Sequence, residues 1–242
     1  MGLSTDEIMQ LSLDLVGWES VPGDSTVYVH GEGIETALVG IDLESPEVQL
    51  AHREGYDLAL AHHPVGGDAR LSFADVLDRQ VEFMTDHGVA RERAEAAVAD
   101  LRRDSEHRAH ASNYRHDPSV AELLGQPYMN VHLAPDELGR RAFVDAVEAL
   151  DADATVADLT AELNERYPAF RDAKTDVEVR LGDEDDELGT VAVHHAAGTN
   201  GGAPVAKAYF EAGVDTVLYI HVDGSDTKEL REAYADSEKT LV

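Results

Sequence analysis

Residues 57–64 have the sequence DLALAHHP, a short apolar run that leads directly into two histidines and a proline. Residues 36–41 (TALVGI) form a similar run, and between the two the sequence predicts a helix from Ser45-Pro46 to Gly55. Two short apolar strands that flank a helix form a βαβ unit, whose strands are parallel and whose crossover is right-handed. These residues therefore predict an α/β fold.

The alternation of strand and helix patterns continues along the rest of the chain. Residues 72–124 are predicted to be helical almost throughout. Further on, residues 176–181 and 190–194 are predicted to pair as a hairpin around an acidic turn. We expect two halves, namely residues 1–150, with a helical insertion at about 72–124, and residues 151–242.

The chain is strongly acidic, with 49 Asp and Glu residues against 19 Lys and Arg and a formal net charge of −30. Such a charge repels nucleic-acid backbones and anionic lipid, so we expect neither a nucleic-acid polymer nor a membrane among its partners. Only four of the 19 cations are lysines, and this composition predicts a halophilic origin, in a cytosol whose salt screens self-repulsion. The sequence has no signal-peptide pattern and no apolar run of the roughly 18 residues that span a membrane, which predicts a cytoplasmic protein.

Several histidines lie at the ends of predicted strands. His62 and His63 follow one strand directly, and His132 lies near the end of the strand predicted over residues 128–133, with Asp136 four residues further on. Open α/β sheets bind ligands at the carboxyl ends of their strands. Three imidazoles and a carboxylate suit Zn, Mn or Fe(II), and the chain has no cysteine to offer a thiolate site instead. Structural roles remain open, because a His-His pair can be one buried and one exposed residue, and Asp136 can simply stabilise a helix N-terminus.

These motifs resemble those of the Nif-three-like family, whose members are also called dinuclear-metal-centre hexameric proteins or GTP cyclohydrolase type-2 homologues. Residues 57–64 match the family's double-His-Pro motif, and residues 132–136 (HLAPD) match its His-x-x-x-Asp motif. Residues 198–202 (GTNGG) and 209–221 (YFEAGVDTVLYIH) resemble the family's carboxyl-terminal half. The resemblance covers nearly the whole chain.

The resemblance implies two similar α/β halves with mixed sheets flanked by helices, and a ring-shaped homo-oligomer, a hexamer. It also implies that one or two divalent ions are held by four residues, namely His62, His63, His132 and Asp136. The family completes a two-metal site with a later His-x-x-x-Glu or His-x-x-x-Asp pair, whereas this chain stops at Thr240-Leu241-Val242, which resembles the start of a strand. We therefore expect a shortened chain that carries at most four of the six ligands.

The resemblance makes a metal-dependent hydrolase the leading hypothesis, with a nucleotide or another phosphate-bearing small molecule as substrate. One rival interpretation is a non-catalytic, ring-forming metal-binding scaffold or regulatory protein, and another is a purely structural metal site. His194, His195 and His221 also follow predicted strands. Their roles stay open between partly buried structural residues and additional site residues.

Overall fold

Short strands and helices alternate along the chain in a computed structural model, which describes residues 2–242. The strands are β1 (Thr26–Val29), β2 (Ala37–Gly40), β3 (Leu58–Ala61), β4 (Tyr128–Asn130), β5 (Val191–Val193), β6 (Thr216–Leu218) and β7 (Thr240–Leu241). The helices are α1 (Thr5–Val16), α2 (Ser45–Glu54), α3 (Gly67–Leu71), α4 (Phe73–Val76), α5 (Asp78–Asp86), α6 (Arg91–Ala111), α7 (His116–Leu124), α8 (Leu133–Glu148), α9 (Val156–Arg166), α10 (Pro168–Arg171), α11 (Gly202–Glu211) and α12 (Gly224–Ala233). The predicted βαβ unit is thus present as β2, α2 and β3.

The chain divides into two units, each with one small sheet. The first unit comprises Met1–Leu77 and Arg102–Leu138, and the second comprises Asp78–Leu101 and Gly139–Val242. Both sheets are flanked by helices, which confirms the predicted α/β class. None of the helices formed by residues 2–242 combines the length and the apolar character that crossing a lipid bilayer requires.

The sheet of the first unit is mixed, with strand order β1-β4-β3-β2. β2, β3 and β4 are parallel neighbours, and β1 pairs antiparallel with β4. Met9 and Val16 of α1 pack on one face against Leu58 and Met129. α2 and α7 cover the opposite face, where Tyr128 is fully buried. Because β3 and β4 are parallel and adjacent, their carboxyl ends meet at one edge of the sheet.

The sheet of the second unit is parallel throughout, with strand order β5-β6-β7. The predicted hairpin is wrong, because β5 pairs with β6 and not with residues 176–181. Of those residues, Leu181 alone makes a bridge, to Leu241. β5 lies between two helical layers and is buried on both faces. The sequence of such a strand is a continuous apolar run, which does not indicate which strand it pairs with. The strand predicted to start at residue 240 is confirmed as β7.

Helix α1 offers a test of how the local sequence sets a helix boundary. Ser4 and Glu7 form a reciprocal capping box, in which the Glu7 N–H donates to Ser4 Oγ (3.1 Å) and the Ser4 N–H donates to Glu7 Oε2 (2.7 Å). We expect Ser4→Ala to lower the free energy of unfolding by about 1 kcal/mol, as measured by urea denaturation. Ser12→Ala, in the same helix, serves as the control and should change it by less than about 0.5 kcal/mol. Equal losses in the two variants would contradict the capping role.

Candidate metal centre

The candidate metal centre lies at the edge of the first sheet where β3 and β4 end. His62 and His63 come directly after β3, and His132 comes two residues after β4. Asp136 lies in the first turn of α8. The short β4 leads into α8 within three residues, so His132 and Asp136 both stay close to the end of β3. Parallel pairing of β3 with β4 therefore gathers residues that are about 70 positions apart in the sequence.

The three imidazole rings form a compact cluster. Ring centroids are 5.1 Å apart for His62 and His63, 4.7 Å for His62 and His132, and 5.4 Å for His63 and His132. One ring nitrogen of each lies within 4.8 Å of the others, a spacing that a single metal ion can bridge. Asp136 joins the cluster, since its Oδ1 lies 3.2 Å from His62 Nε2 and its Oδ2 lies 3.7 Å from His132 Nε2. All four residues predicted from the sequence thus lie together.

The Nδ1 atom of every ring in the cluster contacts an oxygen atom of the protein. The pairs are His62 Nδ1 with the Val131 carbonyl (3.2 Å), His63 Nδ1 with Asp42 Oδ1 (2.7 Å) and His132 Nδ1 with Asp24 Oδ2 (2.7 Å). Carbonyl and carboxylate oxygens only accept hydrogen bonds, so each Nδ1 is the protonated nitrogen. The lone pair of a neutral ring then lies on Nε2, and Nε2 is the atom that remains for a metal ion.

The electrostatics of the cluster fit a cation. Two Nε2 atoms, those of His62 and His132, face the same Asp136 carboxylate, which would be unfavourable without a proton or a metal ion between them. Burial acts to lower the pKa of His62. The hydrogen bond and charge of Asp136, the Val131 carbonyl and the charge of Asp24 together have a larger opposite effect, so the pKa is raised above 6.5. Imidazole and carboxylate are also the ligands that Zn²⁺ and Fe²⁺ take in proteins.

Sequence reasoning missed three polar residues that support the cluster. Asp24 and Asp42 accept from imidazoles, and buried Asn130 donates from Nδ2 to the Asp24 carbonyl (2.7 Å) and to the His62 carbonyl (3.3 Å). Asp42 could have been found, because it follows the predicted strand 36–41 at the same sheet edge as His63. Asp24 precedes β1 in a loop whose sequence carries no such signal.

Tyr28 connects this network to the loop that follows the histidines. Its hydroxyl donates to Asn130 Oδ1 (2.8 Å) and accepts from the Val65 N–H (3.2 Å), and burial raises the pKa of the hydroxyl. We expect Tyr28→Phe to lower the free energy of unfolding by about 1–2 kcal/mol, because it leaves a backbone donor without its partner. Denaturant unfolding measures the loss. The same substitution at exposed Tyr56 is the control, and a loss as large there would show that the bonds of Tyr28 contribute nothing.

The remaining histidine candidates belong to the second unit. His194 is buried, and its Nδ1 lies 3.0 Å from the Tyr209 hydroxyl. The ring of His195 lies against Phe143, with centroids 5.8 Å apart. His221 is exposed, with its Nδ1 3.1 Å from Asn200 Nδ2. His194 and His195 thus pack among aromatic rings, which agrees with the structural interpretation of that pair.

Comparison with proteins of known structure shows which family this chain belongs to. A NIF3 superfamily protein from Sphaerobacter thermophilus is 43% identical, with a TM-score of 0.94 over 99% of this chain and 87% of that one. Two other solved structures are more distant. Protein SA1388 of Staphylococcus aureus is 11% identical, with a TM-score of 0.48 over 100% of this chain and 85% of that one. Protein ybgI, described as of unknown function, is 15% identical, with a TM-score of 0.48 over 99% of this chain and 85% of that one. No protein-family model and no curated protein matches the chain. Because the Sphaerobacter protein shares so much sequence over nearly the whole length, this chain belongs to the NIF3 superfamily.

Proposed function

We propose that this protein is a metal-dependent hydrolase whose ion is held by His62, His63 and His132, with Asp136 as a further ligand. The observation that carries the proposal is the cluster of three imidazoles, each with its Nδ1 already bonded, two of which also face the Asp136 carboxylate. A divalent zinc, manganese or iron ion bound there would supply a Lewis acid that activates water at neutral pH. One or two such ions are compatible with the proposal.

The four side chains differ in their access to solvent, and this difference indicates where a substrate would enter. The side chain of His132 is 5% exposed and that of Asp136 is 14% exposed, whereas that of His63 is 46% exposed. A ligand set that is buried on one side and open on the other can leave one coordination position for water or substrate. We therefore place the substrate on the His63 side of the cluster.

A nucleotide or another phosphate-bearing small molecule is the substrate class that we propose. The acidic chain repels anions, with a net charge of −30, so such a substrate needs local positive charge to bind. A divalent ion among these residues would provide it, because an open coordination position presents positive charge directly to a phosphate oxygen. One ion offsets two of the three negative charges of Asp136, Asp24 and Asp42, the carboxylates that contact the imidazoles. Binding of a phosphate-bearing substrate would then depend on the metal.

The test measures metal content and turnover together. Protein stripped with a chelator and reloaded with Zn²⁺, Mn²⁺ or Fe²⁺ is assayed in high salt against GTP and a panel of phosphomonoesters and phosphodiesters. We expect turnover that disappears on stripping, returns on reloading and is absent from Asp136→Asn. Asp145→Asn, in the same helix α8, is the matched control and should retain it. Metal binding with no turnover in any reloaded form would refute the hydrolase.

One observation favours a second candidate, a non-catalytic metal-binding scaffold or regulatory protein. The Asp136 carboxylate is close enough to two imidazoles to be a fourth ligand, and four protein ligands make a closed, structural zinc site. The absorption spectrum of Co²⁺-loaded protein distinguishes the two candidates. A spectrum that changes on addition of azide shows an exchangeable position and supports the hydrolase, whereas an unchanged spectrum supports the scaffold.

Two further properties belong to the proposal. We propose a homo-hexamer, and light scattering coupled to size-exclusion chromatography tests this oligomeric state directly.

We also propose adaptation to high salt, because 49 acidic residues stand against 19 basic ones and the acidic residues repel one another at low ionic strength. Thermal unfolding midpoints that rise steadily with KCl concentration would support this adaptation, and midpoints independent of salt would contradict it.

A further inference from the structure

We propose that Asp24 is a positioning residue for the candidate metal centre, because it fixes His132 as the tautomer with its proton on Nδ1 and its lone pair on Nε2. The inference rests on the proposed metal-binding function and assigns a role to a residue 108 positions away from the histidine that it contacts. Asp24 does not belong to the proposed ligand set, and it acts on the ion only through His132.

The Asp24 carboxylate is buried, and its hydrogen-bond partners are protein groups. Its side chain is 0% exposed, and its Oδ2 lies 2.7 Å from His132 Nδ1. Its other oxygen accepts from the Ser25 hydroxyl at 3.3 Å. A carboxylate has no proton to donate, so a bond this short requires the proton on Nδ1. A neutral His132 ring must then keep Nε2 unprotonated, as a metal ligand does.

Two hydrogen bonds, one to the Ser25 hydroxyl and one to the Asp24 carbonyl, hold this geometry in place. The Ser25 hydroxyl accepts from the His132 N–H (3.0 Å), so neighbouring residues contact both the main chain and the ring of the histidine. The Asp24 carbonyl in turn accepts from Asn130 Nδ2 (2.7 Å), two residues before His132. The carboxylate therefore meets the ring at a position set by strand pairing and not by a mobile side chain.

Asp42 provides an internal comparison. It makes the same kind of contact with His63 Nδ1, also at 2.7 Å, but its side chain is 71% exposed. Water can replace an exposed acceptor with little loss, whereas a buried donor that loses its acceptor has no substitute. The two aspartates thus make similar hydrogen bonds, but only Asp24 is expected to determine the tautomer of the histidine that it contacts.

The experiment determines the tautomer directly in metal-free protein by long-range ¹H–¹⁵N correlation NMR of the histidine rings. We expect wild-type His132 to carry its proton on Nδ1, and Asp24→Ala to populate the Nε2-protonated form. Asp24→Asn keeps an acceptor oxygen and should restore the wild-type pattern. Zn²⁺ affinity, measured by chelator competition, should fall about 10–100-fold in Asp24→Ala and less than tenfold in Asp24→Asn and Asp42→Ala.

Asp6→Ala is the matched control, since Asp6 contacts the Nδ1 of exposed His30 (3.2 Å) and should affect neither measurement. Wild-type His132 protonated on Nε2 and not on Nδ1 would overturn the inference without any variant, so the test does not depend on Asp24→Ala folding. Unchanged tautomer and unchanged affinity in Asp24→Ala would overturn it as well. Wild-type protein with the expected tautomer but no Zn²⁺ affinity would instead refute the proposed function and leave the role of Asp24 in place.

Discussion

Replacing His132 by alanine will lower the affinity for Zn²⁺ by about 100-fold or more. Loss of a residue that only supports a ligand costs 10–100-fold, and His132 is itself a proposed ligand, so its loss should cost at least as much. Its Nε2 faces Asp136 and its ring lies 4.7 Å from that of His62, so no other imidazole can replace it without moving a strand end. Competition with a chromogenic chelator measures the affinity.

Two further variants separate metal binding from folding. His132 is almost completely buried, so His132→Ala also removes packing and leaves Asp24 Oδ2 without the imidazole that it contacts. His63→Ala removes a half-exposed ring and should lower the affinity with little change in thermal stability. His30→Ala, at an exposed histidine outside the cluster, should leave the affinity unchanged. Wild-type affinity in both His132→Ala and His63→Ala would exclude this metal site.

Acid will destabilise the protein through His194. Between pH 6.5 and pH 3, this residue should lower the free energy of unfolding by at most about 4 kcal/mol. Complete burial, together with smaller contributions from the charges of nearby His195 and His87, lowers the pKa of His194 to about 3. In this window the unfolded chain binds a proton at His194 and the folded chain does not, so protons favour unfolding. The free energy of unfolding should fall by up to about 1.4 kcal/mol per pH unit from this residue.

The contribution of His194 is measured by comparing the pH dependence of unfolding in the wild type and in His194→Gln. Carboxylates titrate in the same range in both proteins, so the difference between the two slopes isolates the histidine. His221→Gln, at an exposed histidine of the same unit, should keep the wild-type slope. Ring ¹⁵N shifts of His194 that move between pH 6 and pH 5 would show that the residue titrates normally and would contradict this prediction.

The candidate site was predictable as far as it depends on strand ends. His62 and His63 follow β3, and His132 follows β4, so parallel pairing of these strands was enough to bring the three rings together. The residues that hold the Nδ1 atoms were harder to predict. Asp24 reaches His132 through the antiparallel pairing of β1 with β4, in which Thr26 lies opposite Asn130. That register depends on tertiary packing, and no local pattern around Asp24 indicates it.

The same distinction applies to the fold. The βαβ unit was correct because its helix has clear signals at both ends, a proline in its first turn and a glycine at its end, and its strands are continuous apolar runs. The hairpin was wrong because residues 176–181 alternate in polarity like a strand although Leu181 alone among them makes a bridge. Alternation reports that one face of a segment can be buried, but it does not identify the neighbour.

The oxygens that contact the Nδ1 atoms of the three imidazoles belong to the protein, and this has a consequence for the order of folding and of any metal binding. The Val131 carbonyl, Asp24 and Asp42 contact the Nδ1 atoms directly, so these residues orient the imidazoles through protein hydrogen bonds. A metal ion that binds at the proposed site would then meet imidazoles that are already oriented, and its identity would depend on cellular supply and on the intrinsic ranking of divalent ions. If the proposed site binds metal, we expect preparations from media of different trace-metal content to contain different ions in an unchanged fold.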